Sequence, residues 1–256
     1  MKRKTLIKYG LTLLAVAVAL IGRDVAAQAQ DKKPNTATMT PDDGTRSGAS
    51  APTKEKQAAM TPQSALAELK AGNARFVSGH PLKRDLLADV KATESGQYPL
   101  AVVLSCMDSR KPIEIVLDQG VGDIFSARIA GNVVNDDILG SMEFACKVSG
   151  AKFIAVLGHT SCGAIKGAID GVELGNLTGL LDKIKPAVKQ VPADVQPRNS
   201  KNLGFVDKVA EANARLVMQQ IRERSPILRE MIDQNQIALV GGMYDVSTGE
   251  VHFFDK

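Results

Sequence analysis

The sequence lacks several features that identify large classes of protein. It has no tryptophan, and its 256 residues include only three cysteines and three histidines. Its amino-terminal apolar stretch, residues 11–21, is shorter than the roughly 20 residues that a membrane-spanning helix needs. No internal repeat is present. The composition therefore argues against a membrane protein and against a repeat architecture.

Nucleotide-binding loops are also missing. Gly158 and Gly163 bracket four residues as the glycines of a phosphate loop do, but Ala164 and Ile165 stand where Lys and Ser or Thr are required. The QGVGD turn lacks the third glycine of a dinucleotide loop and leads into a predicted strand rather than a helix. A nucleotide cofactor is therefore not expected.

The amino terminus has the pattern of a secretory signal. Basic residues precede the apolar stretch, and Ala27 and Ala29 follow it at the spacing that signal peptidase recognises. We predict a cleaved signal peptide over residues 1–29 and a periplasmic or secreted protein; retention as a membrane anchor is the alternative. This segment carries the whole formal net charge of +4, since it holds Lys2, Arg3, Lys4, Lys8 and Arg23 against Asp24. The mature chain is thus near neutral, and nothing indicates nucleic-acid binding.

The next segment, residues 30–60, is rich in Pro, Thr, Ser, Gly and Lys and has no apolar periodicity. Such a composition cannot bury enough apolar surface to order itself, so we predict a flexible linker. Folding is expected to begin near Thr61, where a capping threonine precedes Pro62 at the first helical position. The folded domain is therefore assigned to residues 61–256.

The remaining pattern predicts an α/β fold. Apolar runs in PLAVVLSC, DIFSARIAGNVV and AKFIAVLGH alternate with helical segments, which is typical of a mostly parallel central sheet flanked by helices. An amphipathic amino-terminal helical arm, from Thr61 to Gly79, must dock on its own domain or on a second subunit. At the other end, two apolar runs around a turn at Ser247 to Gly249 predict a final strand and an edge hairpin.

Chemistry-bearing residues follow two of the predicted strands. Cys106, Asp108 and Arg110 leave the end of PLAVVLSC, and His159 and Cys162 leave the end of AKFIAVLGH. If these strands are parallel neighbours, they bring two thiols and an imidazole together, a ligand set suited to Zn²⁺ with a fourth position open or shared. In an exported protein a Cys106–Cys162 disulfide is the competing interpretation. Cys146, within an apolar helix, is interpreted as a buried structural residue.

These motifs resemble those of the β-carbonic anhydrases. The similarity rests on CMDSR, on the arginine and asparagine of RIAGN and on HTSCG, and it covers about the last three quarters of the chain. It implies one Zn²⁺ per subunit, held at Cys106, His159 and Cys162, beside a dyad of Asp108 and Arg110. It also implies reversible hydration of carbon dioxide to bicarbonate and a proton.

The resemblance extends to partners and to further residues. It implies a homodimer or a dimer of dimers, in which the amino-terminal helix lies across the partner subunit. It also implies that Asp108 can be a fourth zinc ligand, as in the closed state of some members. Substrate-binding roles fall on Gln97, Phe144 and Gly163. A bicarbonate pocket of Trp, Arg and Tyr is matched only in part, by Arg128 and Tyr244, because Val103 replaces the tryptophan.

Two other functions remain open at this level. Relatives on the same zinc scaffold act on carbon disulfide or carbonyl sulfide, and ligand residues do not distinguish them from carbonic anhydrases. The second alternative is a non-catalytic binding module stapled by a Cys106–Cys162 disulfide, in which Asp108 and Arg110 form a structural ion pair. It leaves His159 unexplained.

Overall fold

A computed structural model describes residues 51–255 of the chain. The predicted signal peptide and residues 30–50 of the predicted linker lie outside the described residues. Within the described part, no helix combines the length and the apolar character that crossing a membrane would need.

A five-stranded sheet forms the centre, in the order β2-β1-β3-β4-β5. The first four strands are parallel, and β5 pairs antiparallel with β4 as the predicted edge hairpin. Their bounds are β1 Ala101–Ser105, β2 Ile124–Arg128, β3 Phe153–His159, β4 Ala238–Tyr244 and β5 Val251–Phe253. The prediction of a mostly parallel sheet flanked by helices is confirmed.

Ten α-helices surround this sheet in the described part of the chain. They are α1 Lys54–Ala59, α2 Pro62–Val77, α3 Leu86–Ala92, α4 Ile113–Val116, α5 Asp136–Glu143, α6 Gly163–Ile169, α7 Gly175–Asp182, α8 Lys185–Gln190, α9 Leu203–Arg224 and α10 Pro226–Asp233. A 3₁₀ turn, Ala130–Asn132, follows β2, and a π-helical turn, Phe144–Val148, extends α5.

The two central strands are buried on both faces, which explains their continuous apolar sequences. Val102 and Leu104 of β1 lie in one core with residues of α5, α9 and α10. Ala101 and Val103 lie in a second core, with residues of α2 and α4. Because strand side chains alternate between faces, β1 contributes to both layers.

The amino-terminal arm packs on its own domain. Ala65 and Leu69 of α2 are fully buried in the core that contains Val103. The Asn73 amide donates to the carbonyls of Val116 and Gly249, 3.0 and 2.9 Å away. The arm therefore docks on its own domain. Contact with a partner subunit is not needed to bury Ala65 and Leu69.

The predicted linker extends too far toward the carboxyl terminus. Residues 54–59 form α1, with Thr53 as its amino-terminal cap, and Ala51 is buried. Composition concealed this because the segment is ordered by long-range contacts: the Gln57 amide donates to the carbonyls of Pro99 (2.8 Å) and Ser149 (2.9 Å). Ordered structure thus begins ahead of Thr61.

Candidate metal centre

Two parallel strands bring the predicted metal ligands together. Ser105, the last residue of β1, is level with Leu157 of β3, so Cys106 leaves the sheet beside the end of β3, where His159 lies. Cys162 follows three residues later, immediately before α6. One ligand atom from each of Cys106, His159 and Cys162 lies within 4.8 Å of the other two, and all three residues are buried. We call these three residues the thiol–imidazole cluster.

The two cysteines of the cluster are free thiols. Their sulfur atoms are 4.0 Å apart, about twice the length of a disulfide bond. Disulfide stapling, the alternative raised by the sequence, is therefore absent from the structure. Cys146 is also free and buried, and burial raises its pKa to about 12, as expected for an unreactive core residue.

The imidazole of His159 has one nitrogen engaged and one available. Nδ1 lies 2.9 Å from the Thr160 carbonyl oxygen, so this nitrogen carries the proton and donates it. Nε2 is buried and has no hydrogen-bond partner. A histidine that donates one ring N–H to a main-chain carbonyl and presents the other nitrogen is typical of a metal ligand. The donor set of two sulfurs and one imidazole nitrogen fits Zn²⁺.

The thiols differ in their surroundings. The bond between the two sulfurs outweighs burial and, with the Gly131 N–H, lowers the pKa of Cys106 to about 3. The Gly131 amide nitrogen is 3.4 Å from the Cys106 sulfur. The bond to Cys106, together with burial, raises the pKa of Cys162. Because metal ligation requires thiolates, a cation held here would favour the deprotonated form of both sulfurs.

Asp108 and Arg110 form the predicted dyad. Arg110 donates through Nε to Oδ1 and through Nη2 to Oδ2, at 2.9 and 2.8 Å, and its main-chain N–H donates to Oδ1 at 3.0 Å. These bonds hold the pKa of the Asp108 carboxyl well below its usual range. Oδ2 is also 3.9 Å from Nε2 of His159. An ionised carboxylate thus faces the cluster.

Arg128 and Tyr244 hold the main chain of the segment between Cys106 and Lys111. Nη2 of Arg128 donates to the Asp108 carbonyl at 2.7 Å, and the Tyr244 hydroxyl donates to the Arg110 carbonyl at 3.3 Å. Val103, at the position of the missing tryptophan, is fully buried in the sheet. In this chain the two polar side chains therefore position the dyad.

Three predicted substrate-binding residues differ in their placement. Gly163 adjoins Cys162, and a Cβ on it would meet no atom within 4 Å, so open space lies beside the cluster. Gln97 precedes β1 and lies at the opposite edge of the sheet, separated from Cys106 by roughly 17 Å of strand. Within one chain the structure does not bring Gln97 to the cluster.

Phe144 lies on the π-helical turn and is half-exposed. Its ring meets that of Phe125 edge-on, with centroids 6.2 Å apart. Both rings line a cavity of about 710 Å³ along β2, and no residue of the thiol–imidazole cluster lines it. The structure thus places Phe144 on the outer edge of the sheet.

Sequence reasoning missed two residues that support the site. Lys111 is fully buried, and burial lowers its pKa to about 7 while negative charge on Cys106, Cys162 and Asp108 opposes the shift. Asn213 of α9 donates to the Gly131 carbonyl at 2.8 Å and so holds the turn whose amide meets Cys106. Nothing in the sequence around Lys111 indicates that it is buried. Asn213, in contrast, lies among apolar residues at helical spacing in α9, and this position indicates a buried polar side chain.

Comparison with known proteins agrees with this geometry. The family model described as carbonic anhydrase matches residues 101–251. Carbonic anhydrase 2 of Mycobacterium tuberculosis is 36% identical over 189 residues, which cover 73% of this chain and 90% of the relative. A carbonic anhydrase of Mycolicibacterium smegmatis is 35% identical over 191 residues, covering 74% and 92%.

Solved structures give the same result for the fold. The β-carbonic anhydrase CafA of Aspergillus fumigatus is 28% identical with a TM-score of 0.59, covering 75% of this chain and 90% of that one. One of two tetrameric β-carbonic anhydrases of Sordaria macrospora has a TM-score of 0.58 at 23% identity, covering 76% and 96%, and supports the fold alone. On the matched family model, the curated relatives and the shared fold, this chain is an enzyme of the β-carbonic anhydrase family.

Proposed function

We propose that the chain catalyses the reversible hydration of carbon dioxide to bicarbonate and a proton, with one Zn²⁺ per subunit held by Cys106, His159 and Cys162. The observation that carries the proposal is the buried, unpartnered Nε2 of His159 beside two free thiols, with an ionised carboxylate 3.9 Å away. A buried nitrogen without a partner is costly unless a ligand satisfies it.

A zinc ion held by these residues would supply Lewis acidity, which allows water to act as a nucleophile near neutral pH. The chain's own residues orient that water. Oδ2 of Asp108 accepts one bond from Arg110 and faces the cluster, so it has a free lone pair for the water's proton. By accepting this bond, Asp108 would hold one O–H of the water toward itself and so limit the orientations that the water can adopt.

Arg110 keeps Asp108 in this orientation. The two-pronged bond fixes the plane of the carboxylate and favours its ionised form. The same bonds compete with any movement of Asp108 toward a metal. We therefore propose that Asp108 acts as an acceptor beside an open fourth position rather than as a fourth ligand.

The names of the relatives support carbon dioxide as the substrate, rather than carbon disulfide or carbonyl sulfide. The curated proteins that match over most of the chain are named carbonic anhydrases, and no finding favours carbon disulfide or carbonyl sulfide. The disulfide-stapled binding module has no support, since the thiols are free and 4.0 Å apart.

The test is metal analysis combined with hydration assays on the purified protein. We expect one zinc per chain and rapid hydration of carbon dioxide in a stopped-flow assay, with much slower turnover of carbonyl sulfide and carbon disulfide. A metal-free protein, or faster turnover of a sulfur-containing gas, would contradict the proposal.

The assembly and the location are also proposals. A homodimer or dimer of dimers is supported by the family and by the Sordaria macrospora enzymes, which are described as tetrameric. A periplasmic or secreted location is supported by the amino-terminal sequence alone. Light scattering of the purified protein tests the first, and activity in separated cell fractions tests the second; a monomer or a cytosolic activity would contradict them.

A further inference from the structure

Lys111 is unusual among the described residues because it is the one lysine or arginine whose side chain is buried. Buried ammonium groups are rare, since removal of a charge from water is expensive unless other groups compensate for it. Lys111 directly follows Arg110 of the dyad, and neither the fold nor the proposed chemistry of Asp108 and Arg110 accounts for it.

The ammonium joins the two parts of the metal centre. Nζ donates to the carbonyl oxygens of Leu157 and Gly158, at 2.8 and 3.1 Å. These residues come directly before His159 in β3. Pairing of β1 with β3 ends at Leu157, while β3 continues to His159. Lys111 therefore binds β3 at the point where β1 no longer pairs with it.

Nearby groups offset part of the cost of burying Nζ, although burial still lowers the pKa of Lys111. Cys106, Cys162 and Asp108 attract it when they are ionised, whereas Arg128 repels it. The ring of Tyr244 lies 5.8 Å from Nζ, close enough for a cation–π interaction. The main-chain N–H of Lys111 donates to the Asp108 carbonyl at 3.1 Å, so the same residue also closes the turn that carries the dyad.

We propose that Lys111 is a positioning residue of the metal centre, which fixes the segment carrying Cys106 against the strand end carrying His159. The proposal rests on the metal binding proposed above. In this role Lys111 fixes the distance between Cys106 and His159 before a metal binds. This is separate from any contribution of Lys111 to the stability of the fold.

The test replaces Lys111 by methionine, which has similar length but neither charge nor donors. Gln57→Met is the matched control, because Gln57 also donates to two main-chain carbonyls, at the other end of the sheet. Zinc affinity is measured by chelator competition, and the absorption spectrum of the cobalt-substituted protein reports the ligand geometry. We expect Lys111→Met to bind zinc at least tenfold more weakly and to give an altered cobalt spectrum, while Gln57→Met matches the wild type in both.

A wild-type zinc affinity and cobalt spectrum in Lys111→Met would overturn the proposal, as would equal changes in both variants. If Lys111→Met does not fold, the same measurements on Lys111→Gln, which keeps two donors without the charge, decide between these outcomes. A wild-type protein that binds no metal contradicts the proposed function itself. If the wild type binds zinc and Lys111→Met binds it equally well, only the role of Lys111 is contradicted.

Discussion

The two ends of the central strands contrast in how their polar groups are satisfied. At the amino ends, main-chain bonds continue from strand to strand: Leu100 bonds to Asp123, and Lys152 bonds to Leu100. The Gln57 amide completes this end with two further bonds. At the carboxyl ends, Nε2 of His159 has no partner, two thiols adjoin each other and a lysine is buried.

This difference separates the part of the sheet that provides stability from the part that provides chemistry. Unpaired polar groups and buried charges raise the free energy of the folded state, so they persist where a ligand or a reaction requires them. At the amino end, the buried Gln57 amide instead makes two hydrogen bonds to main-chain carbonyls. The predictions below change one end at a time.

The largest effect is expected for Cys162→Ser, which removes a ligand atom from the carboxyl end. Replacement of residues that only support metal ligands costs roughly 10- to 100-fold in affinity or activity, so loss of a ligand should cost more than about 100-fold in kcat/KM. Stopped-flow hydration and metal content measure this. Cys146→Ala is the control, since this buried cysteine lies outside the cluster; equal loss of metal in both variants would contradict the assignment.

Arg110→Gln should lower kcat by about 10- to 100-fold while zinc content stays near one per chain. The change removes the two-pronged bond that orients Asp108 and leaves the thiol–imidazole cluster intact. Arg215→Gln, which breaks an exposed ion pair with Glu211, should leave kcat unchanged. An unaltered kcat in Arg110→Gln would show that Asp108 needs no such support.

At the amino end, Gln57→Met should destabilise the fold without affecting the chemistry. Two hydrogen bonds to buried carbonyls are lost, at about 1 kcal/mol each, so we expect a decrease of roughly 2 kcal/mol in the free energy of unfolding. Urea denaturation measures this decrease. Lys54→Met, on the exposed part of the same helix, is the comparison; a stability loss as large in Lys54→Met would contradict the assigned contacts.

The smallest effect concerns acid stability and Asp118. Bonds from Arg75, Arg84 and the Leu82 N–H outweigh burial and lower the pKa of this carboxyl. A lowered folded-state pKa adds stability above the unfolded value near pH 4, and this contribution is lost as the pH falls through the folded value. Asp118→Asn should therefore be less stable than the wild type by about 1 kcal/mol at pH 7, and the difference should shrink toward pH 3.

Urea denaturation of Asp118→Asn at both pH values makes this measurement. Asp194→Asn, at an exposed position in the loop after α8, should show no difference from the wild type at either pH. A difference between Asp118→Asn and the wild type that is as large at pH 3 as at pH 7 would mean that the ion pairs do not carry the effect.

The sequence was sufficient for the sheet and for the cluster because both depend on local patterns. Continuous apolar runs predicted β1 and β3, and residues that follow parallel strands must share one edge of the sheet. The sequence alone could therefore place Cys106, His159 and Cys162 together. Val206, Ala210 and Ala214 are apolar residues four positions apart, a helical spacing, and they lie on the buried face of α9.

What the sequence could not provide are contacts of polar side chains with main-chain carbonyls far away along the chain. Lys111 resembles one more surface charge, because the carbonyls that bury it belong to β3, 46 and 47 residues away. Gln57 lies in a segment whose composition suggests disorder, and its partner carbonyls are 42 and 92 residues away. The position of Gln97 before β1 was readable from the sequence, but its substrate-binding role rested on the family resemblance alone.

The three residues of the cluster come from two segments that are far apart along the chain. His159 and Cys162 are near neighbours in sequence, whereas Cys106 is 56 positions before Cys162 and reaches it only when β1 lies beside β3. A nascent or partly assembled chain can thus offer a metal two donors but not three. With zinc bound as proposed, acquisition of the ion is expected late in maturation, and the rate of metal uptake during refolding should report when these two strands come into register.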